Sequence, residues 1–144
     1  MGWDPPATFL KNGTLGFTRQ LAQLKVNHSA YLVYGRLMHP PILTSTSGGP
    51  LPELRWCSNV CCNTKVVIGQ VWMASDGSLG LVLANPSNET VALAAAVRVD
   101  GHTHLKASGR ALVDGVSVPV GEKHLETART MPPLSAAVIQ IQKL

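Results

Sequence analysis

The sequence has few acidic and few aromatic residues, and it has no run of basic residues and no long run of apolar ones. Of its 144 residues, eight are Asp or Glu, and the aromatic fraction is 5%. The 12 Lys and Arg residues are scattered and give a net charge of only +4, so no nucleic-acid partner is expected. No stretch approaches the roughly 20 apolar residues that span a bilayer. We therefore expect no membrane partner either.

The first ten residues, MGWDPPATFL, lack the basic segment followed by an apolar segment that marks a signal peptide. We expect neither a signal nor an anchor at this end. An alternative interpretation is that the sequence begins at an internal point of a longer protein.

The sequence also lacks the residue arrangements of the common hydrolases. Glycosidic hydrolysis normally needs two facing carboxyl groups, but Asp76, Asp100 and Asp114 each precede a glycine, which indicates a role in turns. No serine lies in a G-x-S-x-G motif, and no glycine-rich segment has the spacing of a phosphate loop. We predict no catalytic residue and no cofactor within this chain.

Three cysteines, Cys57, Cys61 and Cys62, have the spacing C-x₃-C-C, which lacks the C-x₂-C pairs of a zinc site. Their odd number permits at most one internal disulfide. The favoured interpretation is that these thiols are free or partly buried.

Two histidines, His102 and His104, would share one face of a strand at a distance of about 7 Å. His124 could approach them if the strands pair suitably, so these three are weak candidates for metal ligands. The favoured interpretation is a solvated edge strand, and we predict no metal site.

A period of two residues dominates residues 65–100 and predicts three antiparallel strands. Asp76-Gly77 predicts the first turn, and Asn85-Pro86-Ser87-Asn88 predicts the second. In the third strand one face carries larger apolar side chains and the other is nearly all alanine. The larger face is predicted to consist of Val91, Leu93, Ala95, Val97 and Val99.

Residues 12–36 carry the helical pattern of the chain, with apolar residues recurring at spacings of three and four. Further strands are predicted at residues 103–106, 110–113, 116–120, 126–131 and 134–142. The predicted fold is mainly β: an antiparallel β-sandwich of about six to eight strands preceded by one amphipathic α-helix. Its parts are residues 1–43 (the helix and an extended exit segment), 44–64 (a loop rich in Ser, Gly, Pro and Cys) and 65–144 (the sandwich).

Three Asn-x-Ser/Thr triplets begin at Asn12, Asn27 and Asn88, whereas the triplet at Asn85 is blocked by Pro86. Asn88 lies in a predicted turn and is the best candidate for N-glycosylation, and Asn12 is a second candidate. Asn27 lies inside the predicted helix and is the weakest. Glycosylation would require an extracellular or lumenal location, which the sequence leaves open.

The order of motifs resembles the C-terminal region of large glycosidase-like proteins. It consists of a helix ending in Tyr-Gly-Arg-Leu-Met-His-Pro-Pro, then Trp-x-x-Ser-Asp-Gly, Ala-Asn-Pro-Ser and a final Pro-Pro-Leu-Ser-Ala-Ala-Val-Ile-Gln-Ile. In those proteins a catalytic (β/α)₈ barrel is followed by a small antiparallel β-sandwich. The resemblance implies that residues 31–41 are similar to the end of the last barrel helix and its exit, which makes residues 1–43 the end of a missing barrel. It covers the larger part of the chain and transfers no catalytic residue, because the barrel strands are not in this sequence.

The resemblance therefore implies a non-catalytic accessory domain that supports a catalytic barrel absent from this chain. Its expected partner is that barrel domain of a longer protein, or a second copy of the chain through self-association. The alternative is a free-standing carbohydrate-binding module in which Trp56 or Trp72 stacks on a sugar face.

Overall fold

Antiparallel strand pairing dominates the fold. The computed structural model describes residues 14–57, 60–99 and 104–144. Two helices come first, α1 (Thr14–Asn27) and α2 (Ser29–Leu32). The strands that follow within the described residues are β1 (Arg36–Leu37), β2 (Ile42–Ser45), β3 (Glu53–Cys57), β4 (Cys61–Lys65), β5 (Ile68–Met73), β6 (Leu79–Asn85), β7 (Val91–Arg98), β8 (Arg110–Val113), β9 (Val116–Pro119), β10 (His124–Met131) and β11 (Ser135–Lys143).

The described strands form two packed sheets and a separate hairpin. The six-stranded sheet has the order β1-β5-β6-β11-β8-β9, and the three-stranded sheet has the order β10-β7-β2. Strands β3 and β4 pair only with each other among the described elements. The mainly β prediction, with antiparallel sheets after an N-terminal helical segment, is confirmed. The strands exceed the expected six to eight because β1 and the hairpin are short elements without a clear alternation.

The core lies between the inner faces of the two sheets. Leucines of β6 and isoleucines of β11 face Leu93 and Val97 of β7 and Leu125 of β10, and each of these side chains is at most 1% exposed. Burying each such side chain stabilises the fold by about 1.5–3 kcal/mol relative to leaving it exposed. The predicted inner face of β7 is confirmed, because all five of its members are buried while the intervening residues are partly or fully exposed.

Tight turns connect the strands where Asp-Gly pairs occur. Gly77 has φ +84°, and its N–H donates to the Ala74 carbonyl at 3.0 Å. Asp114 and Gly115 both have positive φ, +49° and +82°, between the paired residues Val113 and Val116. Two positive φ values define a turn whose twist matches that of the flanking strands. The turns predicted at Asp76-Gly77 and Asp114-Gly115 are therefore present, and Asp100-Gly101 lies outside the described residues.

The sequence had indicated a loop over residues 44–64, but only part of this segment is irregular. They contain the end of β2 and most of the β3–β4 hairpin, in which Glu53 lies opposite Lys65 with a 3.6 Å ion pair. Most described side chains of this hairpin are exposed, so burial imposes no alternation of apolar and polar residues. β1 and the first two residues of β2 precede residue 44, and both strands belong to the sheets of the sandwich.

The predicted continuous helix is interrupted at His28, whose φ and ψ are −119° and 38°. The break allows Tyr31 to pack against the outer face of the six-stranded sheet, where it is 5% exposed and its hydroxyl lies 2.9 Å from the Ser78 Oγ. A Cβ built on Gly80 would lie 2.8 Å from the Tyr31 ring. The absence of a side chain at Gly80 therefore makes room for this tyrosine.

The strand predicted at residues 103–106 is not found in its described part. Residues 104–106 are irregular, and a turn follows in which the Gly109 N–H donates to the Lys106 carbonyl at 3.0 Å. Ser108 in that turn has φ +57°. The remaining predicted strands correspond to β8, β9, β10 and β11, and Pro119 lies on the edge strand β9, where the missing N–H disrupts no ladder.

Candidate functional site

The N-terminal helical segment lies on the outer face of the six-stranded sheet. The Ala136 N–H of β11 donates to the Gln20 Oε1 at 3.2 Å, and Tyr31 covers Gly80 of β6. Among the apolar residues of this segment, Tyr31 is buried and Leu24 and Leu32 are partly buried. Leu21 remains 39% exposed. The helix is therefore only partly covered by this chain.

Large apolar side chains stay exposed along this segment and the strand that follows it. We call Leu21, Val26, Val33, Tyr34 and Leu37 the N-terminal apolar residues. They are 39%, 70%, 49%, 81% and 54% exposed. Exposed apolar side chains are unremarkable singly, but five within 17 residues of one surface segment indicate a region that a partner could cover.

The outer face of the three-stranded sheet, which we call the alanine face, carries Ala92, Ala94 and Ala96 of β7 and Ala128 of β10. Ala94 of β7 lies between Thr44 and Ala128, and Ala96 lies between Ile42 and Glu126. One end of this face forms a cleft of about 630 Å³ with basic residues around an apolar floor. Its lining residues are His39, Pro40, Ile42, Ala96, Arg98, Val99, Lys123 and His124.

A second depression lies between the β3–β4 hairpin and the turn from β6 to β7. This groove has a volume of about 650 Å³. Phe17 of α1, Leu54 and Leu134 supply apolar walls, and Asn88 and Glu89 of the turn supply polar ones. The groove thus brings together four segments that are distant in sequence.

Asn85 organises the turn from β6 to β7. It is fully buried, and its Oδ1 accepts hydrogen bonds from the Ser87 backbone N–H at 3.1 Å and the Ser87 hydroxyl at 2.6 Å. Its Nδ2 donates to the carbonyl oxygens of Glu89, Met131 and Pro132 at 2.8, 3.2 and 2.9 Å. One side chain therefore joins this turn to the connection between β10 and β11.

A chain of hydroxyl and carboxylate groups lies at the turn from β5 to β6. The Ser78 Oγ donates to the Asp76 Oδ1 at 2.6 Å, and the Ser78 backbone N–H donates to the same oxygen at 2.9 Å. These bonds favour the ionised carboxylate, so they lower the pKa of Asp76 from its ordinary value. With the Tyr31 hydroxyl at Ser78, this cluster anchors the helical segment to the turn.

Of the three weak candidates for metal ligands, the two that the structure describes lie at different places. His104 packs on Gly77 at the turn from β5 to β6, whereas His124 lines the basic cleft of the other sheet. His102 lies outside the described residues. No group of three His, Cys, Asp or Glu side chains among those described could hold a metal ion.

The two candidate tryptophans belong to different elements. Trp72 lies on the outer face of β5, opposite Leu37 on one side and Gly80 on the other, and it is partly buried. The backbone of Trp56 lies in β3 of the hairpin, opposite Cys62. Partial burial makes Trp72 a less open platform for a sugar than the sequence had suggested.

The cysteines differ from the prediction of free or partly buried thiols. Cys61 is disulfide-bonded, whereas Cys62 is free and exposed. The odd cysteine count was the only sequence signal, and it allowed one disulfide without favouring it.

The glycosylation candidates are placed differently from one another. Asn88 is exposed in the turn from β6 to β7, as predicted. Asn27 is the last residue of α1 and is exposed, so it does not lie in the middle of a helix. Asn12 lies outside the described residues.

Two sets of long-range polar contacts, those of Asn85 and those of Asp114, were not predicted from the sequence. Asn85 was assigned only to a turn, although the blocked Asn-Pro-Ser triplet could have suggested a structural role. Asp114 accepts a hydrogen bond from the Gln140 N–H at 2.8 Å and forms an ion pair with Arg129, which joins the two sheets. Nothing in the local sequence pairs residues that are 15 and 26 positions apart.

Comparisons with protein-family models, with curated proteins and with solved structures each returned no match for this chain. Within the described residues, no helix combines the length and the apolar character that crossing a membrane requires. Function must therefore be argued from the surfaces described above.

Proposed function

We propose that this chain is a non-catalytic accessory β-sandwich of a glycoside-hydrolase-like protein, and that it packs against a catalytic barrel that is not part of this chain. The observation that carries the proposal is the exposure of the N-terminal apolar residues. Three of them, Val33, Tyr34 and Leu37, lie in residues 31–41, which the sequence resemblance matches to the end of a barrel's last helix and its exit, and the other two precede that segment. A barrel packed against this segment would cover them.

The partial covering of the helix supports the same conclusion. Tyr31 packs on Gly80 and its hydroxyl is hydrogen-bonded to Ser78, which holds it on the outer face of the six-stranded sheet. Val26 and Tyr34, on either side of it in sequence, are 70% and 81% exposed. A helix whose one side is anchored while large apolar side chains remain outside is suited to join two domains. The alanine face of the three-stranded sheet is a second surface on which a larger domain could lie.

The carbohydrate-binding module is the alternative proposal. It has less support from this structure because Trp72 is partly buried rather than open on a concave surface. Titration with oligosaccharides, followed by tryptophan fluorescence, separates the two proposals. Saturable binding that is lost in Trp72→Ala, with folding retained, would favour the module.

The accessory role can be tested on the isolated chain with a hydrophobic dye and by light scattering. The chain should bind the dye or self-associate, and Tyr34→Ser combined with Leu37→Ser should reduce both signals. Val116→Ser is the matched control, because Val116 is 65% exposed in the β8–β9 hairpin and is not one of the N-terminal apolar residues. A monodisperse monomer that binds no dye would contradict the proposal.

Activity and size of the natural protein test the assignment directly. The isolated chain should not hydrolyse aryl glycosides, whereas an antibody against it should precipitate a longer polypeptide that does. Turnover by the purified isolated chain that disappears in Glu53→Gln or Glu126→Gln would refute a non-catalytic role. Recovery of only a short, inactive polypeptide would refute the proposal that this chain belongs to a larger glycoside hydrolase.

A further inference from the structure

The turn from β6 to β7 contains two asparagines in opposite environments. Asn85 is fully buried and hydrogen-bonded through both atoms of its amide group. Asn88, three residues later, is exposed, and so are Glu89 and Thr90. The complete triplet Asn88-Glu89-Thr90 therefore lies at the surface.

The local backbone favours modification of Asn88. The triplet lies between the end of β6 and the start of β7 at Val91, so its side chains are not committed to strand packing. Asn88 also borders the groove beside the β3–β4 hairpin. Surface turns with Asn-x-Thr are the usual acceptors of N-linked oligosaccharides in secreted proteins.

The disulfide at Cys61 supplies an independent observation about the compartment. Disulfides form and persist in the oxidising lumen of the secretory pathway and outside the cell, and they are rare in the reducing cytosol. The secretory lumen is also where N-linked oligosaccharides are added. A disulfide-bonded chain with an exposed acceptor triplet meets both requirements.

We propose that Asn88 carries an N-linked oligosaccharide. The donor is a lipid-pyrophosphate-linked oligosaccharide of the secretory pathway. The Asn88 Nδ2 forms a bond to the anomeric carbon of the donor, whose bond to the pyrophosphate oxygen breaks. The lipid pyrophosphate leaves with the bonding electron pair, and the amide loses one proton, so no oxidant or reductant is needed.

A glycan at Asn88 would extend from the rim of the groove between Phe17, the hairpin and the turn. A protein domain could not occupy this groove without meeting the glycan. This end of the sandwich therefore faces solvent in the natural protein, and the N-terminal apolar residues and the alanine face stay available to a partner.

Asn27 provides a contrast within the same chain. Its Oδ1 accepts a hydrogen bond from the Gln23 Nε2 at 2.9 Å, and Ser29 of its triplet begins α2 and is partly buried. Helical geometry on both sides restricts access to this triplet. We expect Asn27 to be unmodified.

The experiment expresses the full chain behind a cleavable secretion signal in eukaryotic cells. An amidase that cleaves the glycan–asparagine bond should increase the electrophoretic mobility of the chain and leave aspartate in place of asparagine. Peptide mass mapping should locate this conversion at position 88. The natural protein, captured by antibody, should show the same conversion.

Two substitutions at Thr90 separate the acceptor triplet from the asparagine itself. Thr90→Ala should abolish the glycan at Asn88, and Thr90→Ser should retain it. If Thr90→Ala does not fold, Asn88→Gln tests the same site at an exposed position. An unmodified Asn88 in the secreted or natural chain would overturn the proposal.

Discussion

Asn85→Asp is the most informative single substitution, because it preserves shape and replaces a hydrogen-bond donor with an acceptor. The Asn85 Nδ2 now donates to three carbonyl oxygens, and its two N–H groups can satisfy two of them fully. Each lost bond that leaves a buried carbonyl unsatisfied costs about 1–3 kcal/mol. Two lost bonds therefore lower the free energy of unfolding by about 4 kcal/mol, a large part of the roughly 5–15 kcal/mol of a typical domain.

The decrease in the free energy of unfolding that Asn85→Asp causes, which we call the deficit, should depend on pH. The direction of this dependence identifies its cause. Neighbouring carbonyl oxygens and burial should raise the pKa of the introduced carboxyl above its ordinary value of about 3.9. Protonation restores one donor. Because the folded-state pKa would exceed the unfolded-state pKa, the deficit relative to the unsubstituted chain should be smallest below about pH 4 and grow as pH rises to the raised pKa.

Urea unfolding followed by tryptophan fluorescence at several pH values measures this difference. Asn88→Asp is the matched control, since the same chemical change at an exposed position of the same turn should alter stability by no more than about 0.5 kcal/mol. Equal stability of Asn85→Asp and the unsubstituted chain at neutral pH would refute the role assigned to Asn85. A deficit that does not change with pH would refute the hydrogen-bond explanation.

Three further predictions test the sandwich and its anchor. Val97→Asp places a carboxylate in the core at a position that is 1% exposed, so it should cost several kcal/mol, about 4 or more, and prevent folding. Ala96→Asp on the outer face should cost far less in thermal denaturation, and equal losses would mean that a further layer covers the alanine face. Gly80→Ala should cost about 1–3 kcal/mol through overlap with the Tyr31 ring, and simple additivity with Tyr31→Ala in a double-mutant cycle would contradict that contact. Because hydrogen bonds lower the pKa of Asp76, its ionised form stabilises the fold above the unfolded-state pKa of about 3.8, and that contribution is lost as pH falls through the folded-state pKa. Asp76→Asn should therefore reduce the loss of stability in acid, and an unchanged acid profile would contradict the assignment.

Much of the sandwich could be predicted from short stretches of the sequence. The alternation around Val97 identified β7 and its inner face, because a pleated strand sends consecutive side chains to opposite sides. Asp76-Gly77 and Asp114-Gly115 identified two turns, because glycine adopts positive φ without a steric penalty. These features depend on a few neighbouring residues, so a single sequence suffices to predict them.

Other strands carried no comparable local signal. The β3–β4 hairpin has mostly exposed side chains, so backbone pairing forms it without an apolar alternation. The interruption at His28 is equally hidden, because it depends on Tyr31 reaching Gly80 and Ser78, which are 49 and 47 positions away. Long-range packing outweighed the helical pattern of that segment.

The candidate sites divide in the same way. The sequence by itself determined that Asn88 begins an acceptor triplet, that Pro86 blocks the triplet at Asn85, and that Asp76, Asp100 and Asp114 each precede a glycine. Only the tertiary structure decided that Asn85 is buried while Asn88 is exposed, that His104 and His124 line different depressions, and that apolar side chains near Tyr34 stay uncovered. The reason is physical: backbone preference and side-chain periodicity act between neighbours, whereas burial depends on which distant strands pair and which faces they cover.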